Sequence, residues 1–139
     1  MNVRDCLRKH PVTAPPDCSL VEAAQLMARH DVGALLVVTG ERLVGIVTDR
    51  DLALRGLGAR LDFETSIEEV MSAPVTWVQA SADVTAALEM FRSARFRRLP
   101  VLEDDDIAGI ITVDDLLVSL VVELAAVVSP IAAEVAAHN

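Results

Sequence analysis

Hydrophobic and polar positions follow the same order twice along the chain. Leu20, Ala23, Ala24 and Met27 stand at i, i+3, i+4 and i+7, and so do Val84, Ala87, Leu88 and Phe91. That spacing predicts one amphipathic helix in each half. Ser19 with Glu22 predicts a capping box on the first helix, and Asp83 an N-cap on the second. A short extended run precedes each helix, Val12 to Ala14 and Val75 to Val78. Two β-rich runs follow the first helix, Ala34 to Val38 and Leu43 to Thr48, joined by the turn Thr39-Gly40-Glu41-Arg42. The second helix is followed by Leu99 to Leu102 and Ile107 to Thr112, turning at Glu103 to Asp106. A further helix opens at Asp49 to Asp51 and again at Asp114-Asp115. The unit reads β-α-β-β-α, twice, which predicts an α/β (α+β) fold.

The repetition extends to residue identity. Shifted by 64, Leu35 falls on Leu99, Val37 on Val101, and Gly45 to Leu52 on Gly109 to Leu116; the shift is locally 63 where Pro11-Val12-Thr13 meets Pro74-Val75-Thr76. Self-similarity of this kind marks a duplicated supersecondary unit. The expected division is residues 1–58 and 67–128 for the repeats, 59–66 for the link, and 129–139 for a C-terminal tail with a short helix over Ile131 to Ala137, after a break at Ser129-Pro130. A unit of about 60 residues buries a marginal core alone, so the halves are expected to pack on each other.

Composition narrows the function classes. The chain has 139 residues, 53% of them hydrophobic and only 3% aromatic, with mean hydropathy +0.42, which excludes general disorder. Acidic residues outnumber basic ones 21 to 12, a net charge of −9, so broad nucleic-acid binding lacks its electrostatic footprint. The polar start from Met1 to His10 does not read as a secretory signal. The longest apolar run, Leu116 to Val128, spans ~20 Å as a helix against ~30 Å for a bilayer core, and Ser119 and Glu123 interrupt it. No membrane association is expected. Cys6 and Cys18 are too few for a disulfide framework or a four-ligand zinc site, and a cytoplasmic location follows. The aliphatic excess points to a core unusually large for the length or to a surface covered by a partner chain.

The chemistry concentrates in Gly-h-h-Thr-x-x-Asp, where h is aliphatic, at Gly45–Thr48–Asp51 and Gly109–Thr112–Asp115. The motif crosses from strand into helix. Free N–H groups at a helix start favour anions; a Thr hydroxyl can join them on a phosphate oxygen, and a carboxylate one turn on can accept from ribose hydroxyls. The structural alternative is a helix cap. Arg95, Arg97 and Arg98, with Arg92 nearby, form a basic cluster where the first half has Asp31, Gly33 and Ala34. They suit a forked phosphate contact, or else a solvated cluster neutralised by Glu103 to Asp106.

This pattern resembles the cystathionine-β-synthase (CBS) domain family over residues 3 to 127. The carriers are Val32-Gly33-Ala34-Leu35, Gly45 to Leu52, Phe96-Arg97-Arg98-Leu99-Pro100-Val101 and Gly109 to Leu116. Thr48-Asp49-Arg50-Asp51 with Gly56-Leu57-Gly58 resembles small free-standing bacterial two-CBS proteins of the stress-response type. The resemblance implies two repeats packed around a pseudo-twofold axis, with two clefts between them for an adenosine-type ligand: AMP, ATP, NAD or S-adenosylmethionine. In cleft one it implies Asp115 at the ribose, with Thr112, Asp114, Arg97 and Arg98 at phosphate and Val12, Val32, Gly33 and Ala34 around adenine. In cleft two it implies Asp51, Thr48 and Arg50, with Val75, Thr76 and Phe96 around the base. Val113 in place of Asp49 departs from twofold equivalence. Cleft one is expected to hold phosphorylated ligand better.

No required cofactor, metal site or catalytic residue is expected. The acidic hairpin Glu103 to Asp106 lacks the spacing of a calcium loop, and no nucleophile–base pair stands out. The function the resemblance implies is a non-enzymatic sensor or signal-transduction module, a homodimer through the second helices at Leu52 to Leu57 and Leu116 to Val128, that binds an adenine nucleotide and acts on a separate effector protein. The alternative is a scaffold that keeps the fold with weak or no nucleotide binding.

Overall fold

The computed structural model describes residues 1–8 and 10–138; Lys9 and Asn139, the last residue of the expected tail, lie outside them. Each half folds its three strands into its own mixed sheet. In the first, β1 (Thr13–Ala14), β2 (Ala34–Thr39) and β3 (Arg42–Thr48) lie side by side, β1 parallel to β2 and β2 antiparallel to β3. β4 (Val78–Gln79), β5 (Arg98–Glu103) and β6 (Asp106–Thr112) repeat the arrangement. The parallel pairs need crossovers, and these are α1 (Leu20–His30) and α3 (Val84–Ser93). α2 (Asp49–Asp51) leaves β3 and widens into a π turn over Leu52–Leu57, whereas α4 (Val113–Ala137) leaves β6 as one long helix.

The helix caps follow the sequence closely. Asp83 accepts from the Thr85 N–H at 2.8 Å, and Ser19 Oγ from the Glu22 N–H at 3.1 Å. The return bond of the expected box at Ser19 is not formed. Glu22 lies beside Cys18 instead; burial first, and Glu22 second, push the Cys18 thiol pKa up, away from nucleophilic reactivity. The apolar stripes face inward through Leu20, Ala23 and Met27 on α1 and Val84, Ala87 and Phe91 on α3.

The first strand of the second half differs from expectation. Val75 to Trp77 stay outside the sheet, and pairing begins only at Val78 with Val101, the equivalent of Ala14 with Val37. The cause is one atom group. In the first half the Leu36 N–H donates to the Val12 carbonyl at 3.0 Å. The equivalent of Leu36 is Pro100, which has no N–H to give. Trp77, the equivalent of Thr13, is thereby left unpaired, while Val75 and Thr76 precede the strand and line a cleft, as Pro11 and Val12 do in the first half.

The two cores exchange their leading segments. Val3 and Cys6, each fully buried, pack with Val78, Val84, Leu99, Ile111 and Leu116 of the second half. Their counterparts Ile67 and Val70 are equally buried, among Leu20, Leu35 and Val47 of the first. Backbone bonds hold the exchange: the Val3 and Arg4 N–H groups donate to Ala82 and Ala80, and the Ile67 N–H donates to Cys18. The motif glycines belong to this packing. A β-carbon at Gly45 would overlap the Met71 sulfur, and one at Gly109 would lie 2.8 Å from Leu7. Leu7 and Met71 are themselves equivalent positions. Each half's entry segment thus crosses the other half's sheet, and the halves are packed as one unit.

α4 does not break at Ser129-Pro130. Pro130 sits inside the helix, on an exposed stretch where the carbonyl it leaves unbonded meets water. Twenty-five residues make a helix of ~37 Å, longer than the ~20 Å run expected from the sequence and, by length and composition alone, long and apolar enough to cross a membrane. Its first two turns are committed to the fold through buried Leu116 and Ser119. The remainder, Val121 to Ala137, spans only ~25 Å and carries Glu123 and Glu134.

Candidate functional site

Both Thr–Asp pairs sit where a strand ends and a helix begins, and both form the same closed box. The Asp51 N–H donates to Thr48 Oγ1 at 3.1 Å while the Thr48 N–H donates to Asp51 Oδ2 at 2.9 Å; Thr112 and Asp115 repeat these distances. The capping role is therefore present in both copies. It leaves chemistry over. Each Thr hydroxyl accepts one bond and keeps its proton to donate. Each Asp caps through one oxygen; among the described residues Asp115 Oδ1 makes no hydrogen bond, and Asp51 Oδ1 has only Arg55 Nη1 at 3.9 Å.

Around Thr112 and Asp115 lies a cavity of about 360 Å³, whose walls include Val12, Val32, Gly33, Ala34, Asp114 and Arg98. Four of the sequence-expected residues thus come from the first half and face the second half's helix start. Arg97 is not on this wall. It lines an adjoining depression of about 130 Å³ with Arg98, Thr112, Val113 and Asp114. Among the described residues the Val113 and Asp114 N–H groups have no hydrogen-bond acceptor.

Around Thr48 and Asp51 lies a larger cavity of about 700 Å³. It gathers Arg50, Val75, Thr76 and Phe96, all expected there, together with Arg95, Arg97 and Arg98. The helix start here is internally satisfied: the Asp49 N–H donates to the Gly33 carbonyl at 3.0 Å and the Arg50 N–H to Asp49 Oδ1 at 2.9 Å. Arg98 reaches toward both clefts, and Gly33 makes room for it: a β-carbon there would lie 2.8 Å from Arg98 Nη2 and 3.1 Å from Asp49 Oδ2.

The charge distribution differs from expectation. Cleft one with its side depression carries Arg8, Arg97 and Arg98 against Asp31, Asp114 and Asp115. Cleft two carries Arg50, Arg95, Arg97 and Arg98 against Asp51. The guanidiniums of Arg95, Arg97 and Arg98 form no ion pair among the described residues. Glu103 does not neutralise them, because it pairs with Arg4. The surplus of positive charge therefore lies at cleft two, the opposite of the ordering drawn from Arg97 and Arg98 as a cleft-one pair.

Arg8, His10 and Asp31 line cleft one without having been anticipated. Arg8 donates to Ser119 Oγ at 3.1 Å, so α4 holds it in place. Arg8 and His10 stand in an irregular segment whose course depends on long-range packing, and nothing local signals it. Asp31 was legible in part: it closes α1 with a left-handed backbone (φ 52°), a position Asp tolerates. Among the described residues no group of three or more His, Cys, Asp or Glu forms a metal-binding cluster.

Two like halves, exchanging entry segments and enclosing two clefts that each pair a Thr–Asp helix start with the other half's wall, define a duplicated cleft-forming module. The CBS domain family model matches residues 3–57 and 67–122, and the chain belongs to that family. It is 34% identical over 118 residues to the CBS domain-containing protein YhcV of Bacillus subtilis, covering 85% of this chain and 84% of that one. It is 36% identical over 100 residues to hypoxic response protein 1 of Mycobacterium tuberculosis, covering 70% of each. Among solved structures, the CBS domain pair of MJ0100, in complex with 5′-methylthioadenosine and S-adenosylmethionine, has TM-score 0.78 and 28% identity, covering 88% of this chain and 98% of that one.

Proposed function

We propose that the chain is a non-enzymatic regulatory module that binds adenosine-type ligands in its two clefts and acts as a cytoplasmic homodimer on a separate effector protein. The observation that carries this reading is the pairing of each Thr–Asp helix start with small or apolar wall residues from the other half: Thr112 and Asp115 with Val12 and Val32 to Ala34, Thr48 and Asp51 with Val75, Thr76 and Phe96. The free carboxylate oxygen accepts from ribose hydroxyls, the Thr proton and the arginines meet phosphate, and the apolar wall takes the base. The MJ0100 pair, which holds two adenosine ligands, supports the ligand class.

The clefts divide the ligands by charge. Four guanidiniums against one carboxylate suit cleft two to a nucleotide with several phosphates. Cleft one, with three cations against three carboxylates, suits a ligand of lower charge, such as AMP or S-adenosylmethionine. Ligand regulates the effector through unequal affinity for two conformations of the module. Exposed Leu54 and Leu57 after α2, and Leu117 and Val118 on α4, offer the apolar surface for the dimer, and the buried free thiols of Cys6 and Cys18 suit a reducing compartment.

Thermal-shift measurement with AMP, ATP, NAD and S-adenosylmethionine tests the reading, because a ligand that binds only the folded chain raises its melting temperature. At least one of the four is expected to do so, and Asp51→Ala or Asp115→Ala to reduce the shift. Flat responses to all four favour the scaffold reading, in which both Thr–Asp boxes serve as caps alone.

A further inference from the structure

The inner face of α4 is used up within two turns. Leu116 and Ser119 are buried, and from Val121 onward the helix leaves the body of the fold. On the opposite side stand Leu117, Val121, Leu124, Val128, Ile131 and Val135, separated by four, three, four, three and four residues. All six are exposed, from 49% at Val128 to 64% at Val121. An apolar residue every 3.5 positions is the seam of a coiled coil, and a single globular core does not require it.

The residue types carry the argument further. With Val121 at position a of the heptad, the a positions are Val121, Val128 and Val135, and the d positions are Leu117, Leu124 and Ile131. β-Branched residues at a with leucine at d favour two parallel strands. No polar residue interrupts the seam. Glu123 and Pro130 both fall at c, on the outer side, so the helix accommodates its proline where water replaces the missing hydrogen bond. The flanking positions are apolar too, at Val118, Leu120, Ala125 and Val127. Glu134, at g, is the one charged flank; in a parallel pair it faces the e position of the following heptad, beyond the end of α4 at Ala137, so it neither selects an oppositely charged foreign helix nor repels an identical one.

We propose that α4 pairs along this seam with α4 of a second copy, as a parallel two-stranded coiled coil. The inference rests on the homodimer reading and extends it, since Leu124, Val128, Ile131 and Val135 lie beyond residue 122, where the family match ends. A bilayer is the poorer occupant: the free part of the helix is ~25 Å long, short of the ~30 Å hydrocarbon core, and carries two glutamates. Pairing the seam removes from water the apolar residues that the fold leaves outside.

Sedimentation equilibrium of the full chain tests the seam against the outer face. The wild type is expected to be dimeric. Val128→Glu, at position a, is expected to weaken the dimer at least about tenfold, because two glutamates then face each other in an apolar seam. Ala126→Glu, at the outer position f, is expected to change it by less than about twofold. Neither residue is in the folded core, so both variants should still unfold cooperatively, with a lower melting temperature expected for Val128→Glu alone, through loss of the dimer. Val135→Cys should form an interchain disulfide under mild oxidation and Ala126→Cys should not. Equal effects of the two glutamates, a monomeric wild type, or a wild type that sediments with phospholipid vesicles instead of pairing would each overturn the proposal. Failure of Val135→Cys to cross-link would overturn the parallel arrangement. Nucleotide thermal shifts on the same variants report the ligand reading separately: a dimer without shifts leaves the seam standing and removes the ligand.

Discussion

Cleft one and cleft two begin from the same seven-residue motif and end with different electrostatics. The motif itself is conserved between them down to the hydrogen bond: both Thr–Asp boxes have the same two distances. What differs is the surroundings. The ridge of Arg95, Arg97 and Arg98 follows α3 in the second half, where the first half has Asp31, Gly33 and Ala34. Arg98 borders both clefts and Arg97 reaches cleft one only through its side depression; Arg50 and Arg95 add only to cleft two, while Arg8, Asp31 and Asp114 add only to the first. The helix starts diverge as well: among the described residues the N–H groups of Val113 and Asp114 have no acceptor, and those of Asp49 and Arg50 are taken. A duplicated fold thus holds its geometry by repeating the buried and capping residues, while the charges beside them drift and separate the two sites.

The largest effect is expected from breaking the exchanged packing beneath one cleft. Ile67 is fully buried in the first half's core next to Val47, which leads into Thr48. Ile67→Ala should cost ~2–5 kcal/mol, read as a lower denaturation midpoint. It should also loosen cleft two more than cleft one.

Next comes the ribose carboxylate. Asp115→Ala should cost ~1.5–3 kcal/mol of binding at cleft one, or roughly ten- to a hundred-fold in affinity, and leave cleft two intact; Asp51→Ala should do the converse. Competition between AMP and ATP on each variant checks this. Equal losses at both clefts from either substitution would dissolve the distinction.

A smaller effect separates the clefts by screening. Raising salt from ~0.05 to ~0.5 M shortens the Debye length several-fold. ATP affinity should fall more steeply than that of S-adenosylmethionine, and Arg50→Ala should flatten the ATP dependence, as titrations at several ionic strengths would show.

The smallest effect concerns the frame. The backbone bond from Thr85 holds the Asp83 carboxyl below the usual carboxylate range. A depressed folded pKa contributes stability above the unfolded value, and that contribution is lost as pH falls through the folded one. Asp83→Asn should therefore lose less stability than the wild type between about pH 5 and pH 2, measured by thermal melts, and leave both clefts' ligand preferences unchanged.

Much of the fold was legible because it is written locally. The 3.6-residue stripes of α1 and α3, the caps at Ser19 and Asp83, and the two hairpins all depend on neighbours in sequence. The site residues were legible as a set, because duplication makes Thr48, Asp51, Thr112 and Asp115 stand out. Their surroundings were not. Val3 and Cys6 fall within residues 1–58, the first repeat by sequence, and only packing across about 80 residues of chain places them in the second core. The loss of pairing at Trp77 follows from Pro100, a strand away in the sheet. Arg97 and Arg98 are adjacent in sequence and border different sets of residues, since neighbouring side chains in extended backbone point to opposite sides. The apolar run of α4 was visible, but its continuation through Pro130 required the tertiary structure.

The central claim is that cleft two holds the more highly charged ligand. Calorimetric titration of ATP into the wild type, Asp51→Ala and Asp115→Ala tests it most directly. The account predicts that Asp51→Ala removes the tighter class of ATP binding while Asp115→Ala preserves it. Loss of the tighter class in Asp115→Ala, with Asp51→Ala behaving as the wild type, would contradict it.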